Sequence, residues 1–231
     1  MTPLVQRALR NALRTGLILF AFAVVATALL VLTHTRTQPS IERSQQAEKL
    51  ALLNQVLPAT LYDNDLLSSR QTLSPDPRLG TQQPSALWVA RRGNQVTAIA
   101  LEAIAPDGYS GNIHLLIGVD MQGMIIGVRV TSHRETPGLG DYIDRQKSAW
   151  IEQFNGKSLT LPASKLWKVN KDGGAFDARA GATITPRAVV KAVGSALDYF
   201  AHQHPHLALI TPALIKPAVI KPATIEPAKE Q

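Results

Sequence analysis

The chain has 231 residues, 45% of them apolar, and a formal net charge of +7 from 24 basic and 17 acidic side chains. That length holds one ordinary domain beside an anchor and a tail. It contains no cysteine, which excludes disulfides, thiolate metal sites, iron–sulfur ligation by this chain and a cysteine nucleophile. The positive charge does not form a nucleic-acid stripe. Arg7, Arg10 and Arg14 stand together with no acid to balance them, the rest is dispersed, and no aromatic residues interleave with it. No nucleic-acid partner is expected.

Residues 16–32 read GLILFAFAVVATALLVL, without a charge. Extended to Thr15 and Thr33, the segment spans ~28 Å as a helix at ~1.5 Å per residue, close to a hydrocarbon core of ~30 Å. A buried core helix would show a polar face, and a cleaved leader would be followed by a small-x-small site. The following THTRTQ offers none. A retained transmembrane anchor at 15–33, in contact with lipid, is therefore expected. The three arginines ahead of it keep residues 1–14 cytoplasmic and send the bulk of the chain across the membrane. In a Gram-negative cell that is a single-pass inner-membrane protein with a periplasmic domain.

Residues 34–84 are expected to hold a helix and an irregular linker. The helix spans Ile41 to Leu57, with Ser40 as its cap and Pro58 as its end; residues 58–84 wrap irregularly. Residues 85–204 form the domain. Its strands are predicted at 86–90, 95–103, 112–119 and 124–131, separated by Gly/Asp/Asn turns that favour antiparallel pairing. Ile113, Leu115, Ile117 and Val119 share one face, as do Met124, Ile126, Val128 and Val130. A short helix is predicted at 144–154. The last helix starts at a Thr185 cap with Pro186 in its first turn, and carries Val189, Val190, Val193, Leu197 and Phe200 to about Ala201. Residues 205–231 are Pro-rich and expected to be disordered. The fold class is α+β: a single transmembrane helix, then one domain with an antiparallel sheet packed by helices.

The most informative stretch is Asp177 to Pro186. Small residues Ala180, Gly181 and Ala182 leave the Thr183 hydroxyl uncrowded just before a helix start, where free N–H groups and the helix dipole favour an anion. Arg179 and Arg187 would add charge. The plainer reading is a loop with a capping threonine. Gly138 and Gly140 would permit positive φ and close backbone approach to a flat ring, though the G-x-G-x-x-G dinucleotide fingerprint is absent. His133 beside Glu135 suits acid–base work or a loop salt bridge. His202, His204 and His206 are a metal candidate without a fourth ligand. Asp63 and Asp65 read as a solvated pair, and no Ser–His–Asp signature is present.

The stretch Asp177-Ala178-Arg179-Ala180-Gly181-Ala182-Thr183 resembles the acceptor motif of the periplasmic flavin transferase, departing from it at Ala180. Glu135-Thr136-Pro137-Gly138-Leu139-Gly140 resembles the E-T-P-G-L-G loop of the G subunit of Rnf-type (Rsx-type) electron transport complexes and of the C subunit of the sodium-pumping quinone reductase. Asp107-Gly108-Tyr109-Ser110-Gly111 and the run from Gly181 into the last helix also look like that family. The resemblance covers roughly residues 1–200. It implies an FMN-binding domain with FMN joined by a phosphoester to Thr183, in a subunit that relays electrons within an ion-translocating membrane complex. The cofactor-binding residues it implies are Asp177, Ala180, Gly181, Ala182 and Thr183, with Glu135, Thr136, Gly138, Leu139 and Gly140. Implied partners are the other subunits and the flavin transferase; no residue is implied to be catalytic. Rival readings are a non-redox membrane-anchored scaffold and a reductase working alone.

Overall fold

The computed structural model describes residues 3–208, with the side chains of 3–9, 12, 39 and 204–208 outside the description. The tail at 209–231 and the side chains of Arg7, His204 and His206 therefore lie outside the described residues.

Helix α1 (Pro3–Asn54) corrects the expected division into an anchor and a second helix: the two are one helix, Ser40 starts nothing new, and Pro39 lies inside it. Between them, Thr33, Thr35 and Thr37 turn their hydroxyls back onto the carbonyls of Leu29, Leu32 and Thr33 at 2.8, 3.1 and 2.9 Å. Bonded this way, the hydroxyls follow the helix and do not compete with it from outside. A tightened turn over Gln55–Leu57 then closes the segment before Pro58.

Packing separates the chain between Lys49 and Leu50 into two units. In the first, apolar side chains are exposed all round the helix; Phe20, Phe22 and Leu30 are 71%, 73% and 72% exposed. Among the described residues this is the one helix long and apolar enough to cross a membrane. A helix apolar on every side suits a lipid surrounding.

The second unit is built on a fully antiparallel sheet in the order β1-β2-β3-β4-β5. Its strands are β1 (Gln71–Leu73), β2 (Ser85–Arg92), β3 (Gln95–Gly108), β4 (Gly111–Asp120) and β5 (Ile125–Ser132). Strand β1 comes from the segment read as irregular. It is three residues long and owes its existence to pairing with Ser85–Leu87, which no local pattern reveals. Alternation sends Leu87, Val89, Ile99, Leu101, Ile113, Leu115, Ile117 and Val119 into one core. Ala86, Trp88, Ala90, Ala98, Ala100 and Leu116 face a second core with Leu53, Val56, Leu57 and Leu66. Both faces of the sheet are thus covered, and the fold is α+β.

Helix α2 (Ile184–Ala208) lies on the first face through Val189, Val190, Val193, Leu197 and Phe200. The expected face of β5 is corrected. Register shifts at Gly118/Val119 and His114/Leu115 place Ile125 and Val128 in the first core, put Ile126 against the second and leave Met124 exposed. The predicted helix at 144–154 shrinks to a 3₁₀ segment, Ala149–Phe154. There Asp144 accepts the Gln146 N–H and Ser148 the Trp150 N–H, local bonds that compete with a regular helix start. Asp63 and Asp65 are not bare: Asp63 accepts the Gly93 N–H, and Asp65 accepts the N–H groups of Leu67 and Ser68. The Ser68 hydroxyl is the main reason the Asp65 carboxyl is held below its ordinary value.

Candidate functional site

The loop after β5 and the segment before α2 meet at the start of that helix. The helix begins at Ile184, so Thr183 stands directly ahead of it, and the Arg187 N–H reaches the Thr183 carbonyl at 3.3 Å. This corrects the expected start at a Thr185 cap. The Thr185 hydroxyl is taken by the Glu135 carboxylate and is not free to cap. The Thr183 side chain is half-buried, and its hydroxyl has no hydrogen-bond partner among the described residues. The first N–H groups of a helix lack intrahelical acceptors, so an anion at Thr183 would meet donors and the positive end of the dipole. Gly181 has φ +84°, and a side chain there would meet nothing within 4 Å. The chain turns sharply beside open space.

The acceptor segment is held by its backbone. The Trp150 indole N–H donates to the Asp177 carbonyl at 2.7 Å, and the Asp177 N–H donates to the Gln153 side-chain oxygen at 2.8 Å. The Arg179 N–H donates to the Tyr142 hydroxyl at 3.2 Å, and the Arg179 guanidinium lies 4.6 Å from the Tyr142 ring centre. Burial pushes the Tyr142 hydroxyl above its ordinary value, so it stays protonated at neutral pH. Beneath the segment, Tyr142, Trp150, Phe154, Phe176 and Trp167 pack ring to ring at 4.8–5.7 Å. Asp177, Arg179, Ala180 and Gly181 are exposed, while Ala182 is half-buried. Among the described residues the Asp177 carboxylate meets only the Asn170 amide, at 3.3 Å.

Of the two expected cations, Arg187 is paired with Asp172 at 2.5 and 2.6 Å, and that pairing holds the Asp172 carboxyl below its ordinary value. Arg187 also borders a groove of about 570 Å³, floored by Trp167 and Val190 along α2.

The glycine loop is held from within. Leu139 and Gly140 donate their N–H groups to the Thr136 carbonyl at 3.1 and 3.0 Å, and the Gly138 N–H donates to Asp141 at 2.8 Å. Gly138 takes φ +77° and Gly140 does not, at φ −92°. Glycine is needed at 140 for a different reason. A Cβ there would lie 2.9 Å from the Glu135 carboxylate and 3.0 Å from the Thr185 hydroxyl. Glu135 is 4% exposed and accepts the Ser110 N–H at 3.0 Å. His133 is no salt-bridge partner for it; the His133 ring accepts the Glu135 backbone N–H at 3.1 Å. Leu139, 55% exposed, stands outside this buried corner. Tyr109, left without a role by sequence reasoning, is 67% exposed at the β3–β4 turn, next to the Ser110 that Glu135 holds. Its signal was an aromatic residue set between glycines in a turn.

The His202 ring is engaged with Asp198 on its own helix, and among the described residues no group of metal-ligating side chains assembles.

Residues 108–198 match the FMN-binding domain family, a span that holds the β3–β4 turn, the glycine loop and Thr183 together. Residues 1–56 match the N-terminal region family of RnfG. A curated protein of Vibrio cholerae serotype O1, named as the G subunit of an ion-translocating oxidoreductase complex, is 49% identical over 191 residues, covering 83% of this chain and 90% of its own length. Proteins of the same name from Vibrio atlanticus and Shewanella amazonensis are 50% and 45% identical over 190 residues, covering 82% of this chain and 90% and 88% of their own. The chain belongs to this family of oxidoreductase-complex G subunits. The residues present fit the FMN of that family's domain. The Thr183 hydroxyl is unpartnered among the described residues, and open space flanks Gly181. Free helix N–H groups suit a phosphate.

Proposed function

We propose that this chain is the flavoprotein subunit of a membrane complex that couples electron transfer to ion translocation, with FMN joined through its phosphate to Thr183. The observation that carries the reading is the unpartnered Thr183 hydroxyl at the start of α2, inside a domain of the FMN-binding family. Bound FMN supplies redox chemistry that moves electrons singly or in pairs; the protein supplies position and surroundings. Thr183 is the tether. Its Oγ–P bond forms as the anhydride P–O bond of an activated flavin donor breaks, and the hydroxyl proton is lost with the leaving phosphate. A transferase catalyses this, reading the exposed Asp177–Gly181 segment. The diester keeps one negative charge, which the first N–H groups of α2 stabilise. Ala180, Gly181 and Ala182 leave room for the ribityl chain. Thr136, Gly138, Leu139 and Gly140 form the other wall, where Leu139 and Tyr109 offer exposed apolar surface to a flat ring.

The helix that includes residues 15–33 spans the inner membrane in contact with lipid. Arg10 and Arg14, with Arg7, keep its start cytoplasmic, so the FMN-bearing unit is periplasmic and hands electrons to neighbouring subunits. We assign the FMN-bearing domain to the compact unit that begins at Leu50, since the sheet already includes β1 and helix α2 continues to Ala208. Intact mass of the full-length protein made with and without the transferase tests the tether: a gain of one FMN less one water is expected only with it. Thr183→Val should abolish the increment and leave the far-ultraviolet circular dichroism unchanged. An unmodified wild-type chain beside active transferase would favour the scaffold reading.

A further inference from the structure

We propose that Glu135 is a positioning residue: its carboxylate straps the first turn of α2, and with it Thr183, to the glycine loop and the β3–β4 turn. This rests on the reading of Thr183 as the flavin tether.

Three chain segments converge on one buried group. One carboxylate oxygen of Glu135 accepts the Ser110 N–H at 3.0 Å, and the other accepts the Thr185 hydroxyl. The loop backbone lies directly on this pair at Gly140, where a Cβ would come within 3.0 Å of both partners. Gly108 is equally close on the other side, with 2.9 Å between a Cβ and the Glu135 carboxylate. No cation pairs with Glu135 among the described residues. Its charge is met by an N–H, an O–H and the α2 N-terminus, which together satisfy a buried carboxylate.

A second link joins the same turn to the same helix, Asp107 to Lys191 at 2.6 Å, but both side chains are more than half exposed. An exposed pair of this kind contributes little. Val189, Val190 and Val193 seat the helix on the sheet, and the strap through Glu135 is the buried polar tie between its first turn and the loop. Thr185 is two residues beyond Thr183, so a shift of this turn moves the tether by a similar distance. In the proposed site a carboxylate at Glu135 would disfavour added electron density on a flavin bound nearby.

The test compares full-length wild type, Glu135→Gln, Thr185→Val and Thr185→Ser, each made beside the transferase and checked first by intact mass. Flavin fluorescence anisotropy should fall in Glu135→Gln and Thr185→Val and return to the wild-type value in Thr185→Ser. The flavin midpoint potential should rise in Glu135→Gln, where a negative charge is lost, and move less in Thr185→Val. Loss of attachment in Glu135→Gln and Thr185→Val, restored in Thr185→Ser, is the stronger form of the same result. Wild-type anisotropy and potential in both Glu135→Gln and Thr185→Val, with FMN attached, would overturn the proposal. A wild-type chain without FMN defeats the tether reading instead. The strap is then tested by hydrogen exchange at the Ser110 amide, which must speed up in Glu135→Ala for the proposal to stand.

Discussion

The loop 133–141 and the segment 177–183 reach the same helix start, and they are held in opposite ways. The loop turns its functional groups inward. Glu135 is buried, Asp141 closes on the Gly138 N–H, and the Thr136 carbonyl collects two backbone N–H groups of the same loop. The acceptor segment turns its side chains outward and is gripped from behind, through its backbone, by Trp150, Gln153 and Tyr142. One is a wall that must not move. The other is a display, which on the proposed function an enzyme reaches and a cofactor occupies. The difference shows that exposure and order are separate properties: the display is accessible because its side chains are free, and ordered because its amides are not.

Two glycines give the sharpest contrast. Gly140→Ala should cost ~1–3 kcal/mol through overpacking against Glu135 and Thr185, read as a lowered denaturation midpoint with an unchanged slope. Gly181→Ala meets open space, so only its left-handed backbone resists, at about 1–2 kcal/mol. Equal losses at both positions would mean the wall is no more tightly packed than the display. Trp150→Phe removes the indole N–H that holds Asp177 while keeping most of the ring stacking. It should cost about 0.5–1.5 kcal/mol and, on the proposed tether, slow flavin attachment at fixed transferase concentration.

The smallest effect lies at Asp172, whose carboxyl is held below its ordinary value chiefly by Arg187. With the folded value depressed, its contribution is present above the unfolded carboxyl value of about 3.8 and fades as pH falls through the lowered folded value. The pair is exposed, so Asp172→Asn should leave the denaturation midpoint almost unchanged at neutral pH. It should flatten slightly the loss of stability between about pH 4 and the acid limit. A large neutral-pH effect would mean the ion pair braces the display more than its exposure allows.

Much of this was legible beforehand. The apolar N-terminal helix announces itself by composition, as a charge-free run long enough to cross a bilayer. The strands β2 to β5 follow from short apolar runs bounded by turn residues, while the burial of both faces of the sheet emerges only from the two cores packed against it. At Thr183 the small neighbours and the helix behind it left a plain capping loop as the simpler reading, and only the resemblance of the Asp177–Thr183 stretch to a flavin-acceptor motif singled the residue out. Other features were not. The join of the two N-terminal helices was not legible, because Pro39 and Ser40 read as a break and a cap while the helix runs on through both. Strand β1 exists through its partner, and the β5 face through register shifts against β4.

What the amino-acid order determined alone is local: which segments are apolar throughout, which alternate, where a hydroxyl precedes a helix. What only the tertiary structure decided is the convergence of Ser110, Glu135, Gly140 and Thr185 on one buried carboxylate. Those residues are scattered over three separate segments, and no periodicity links them. A buried charge must find its hydrogen-bond donors wherever the packed chain delivers them, and that delivery is a property of the whole fold.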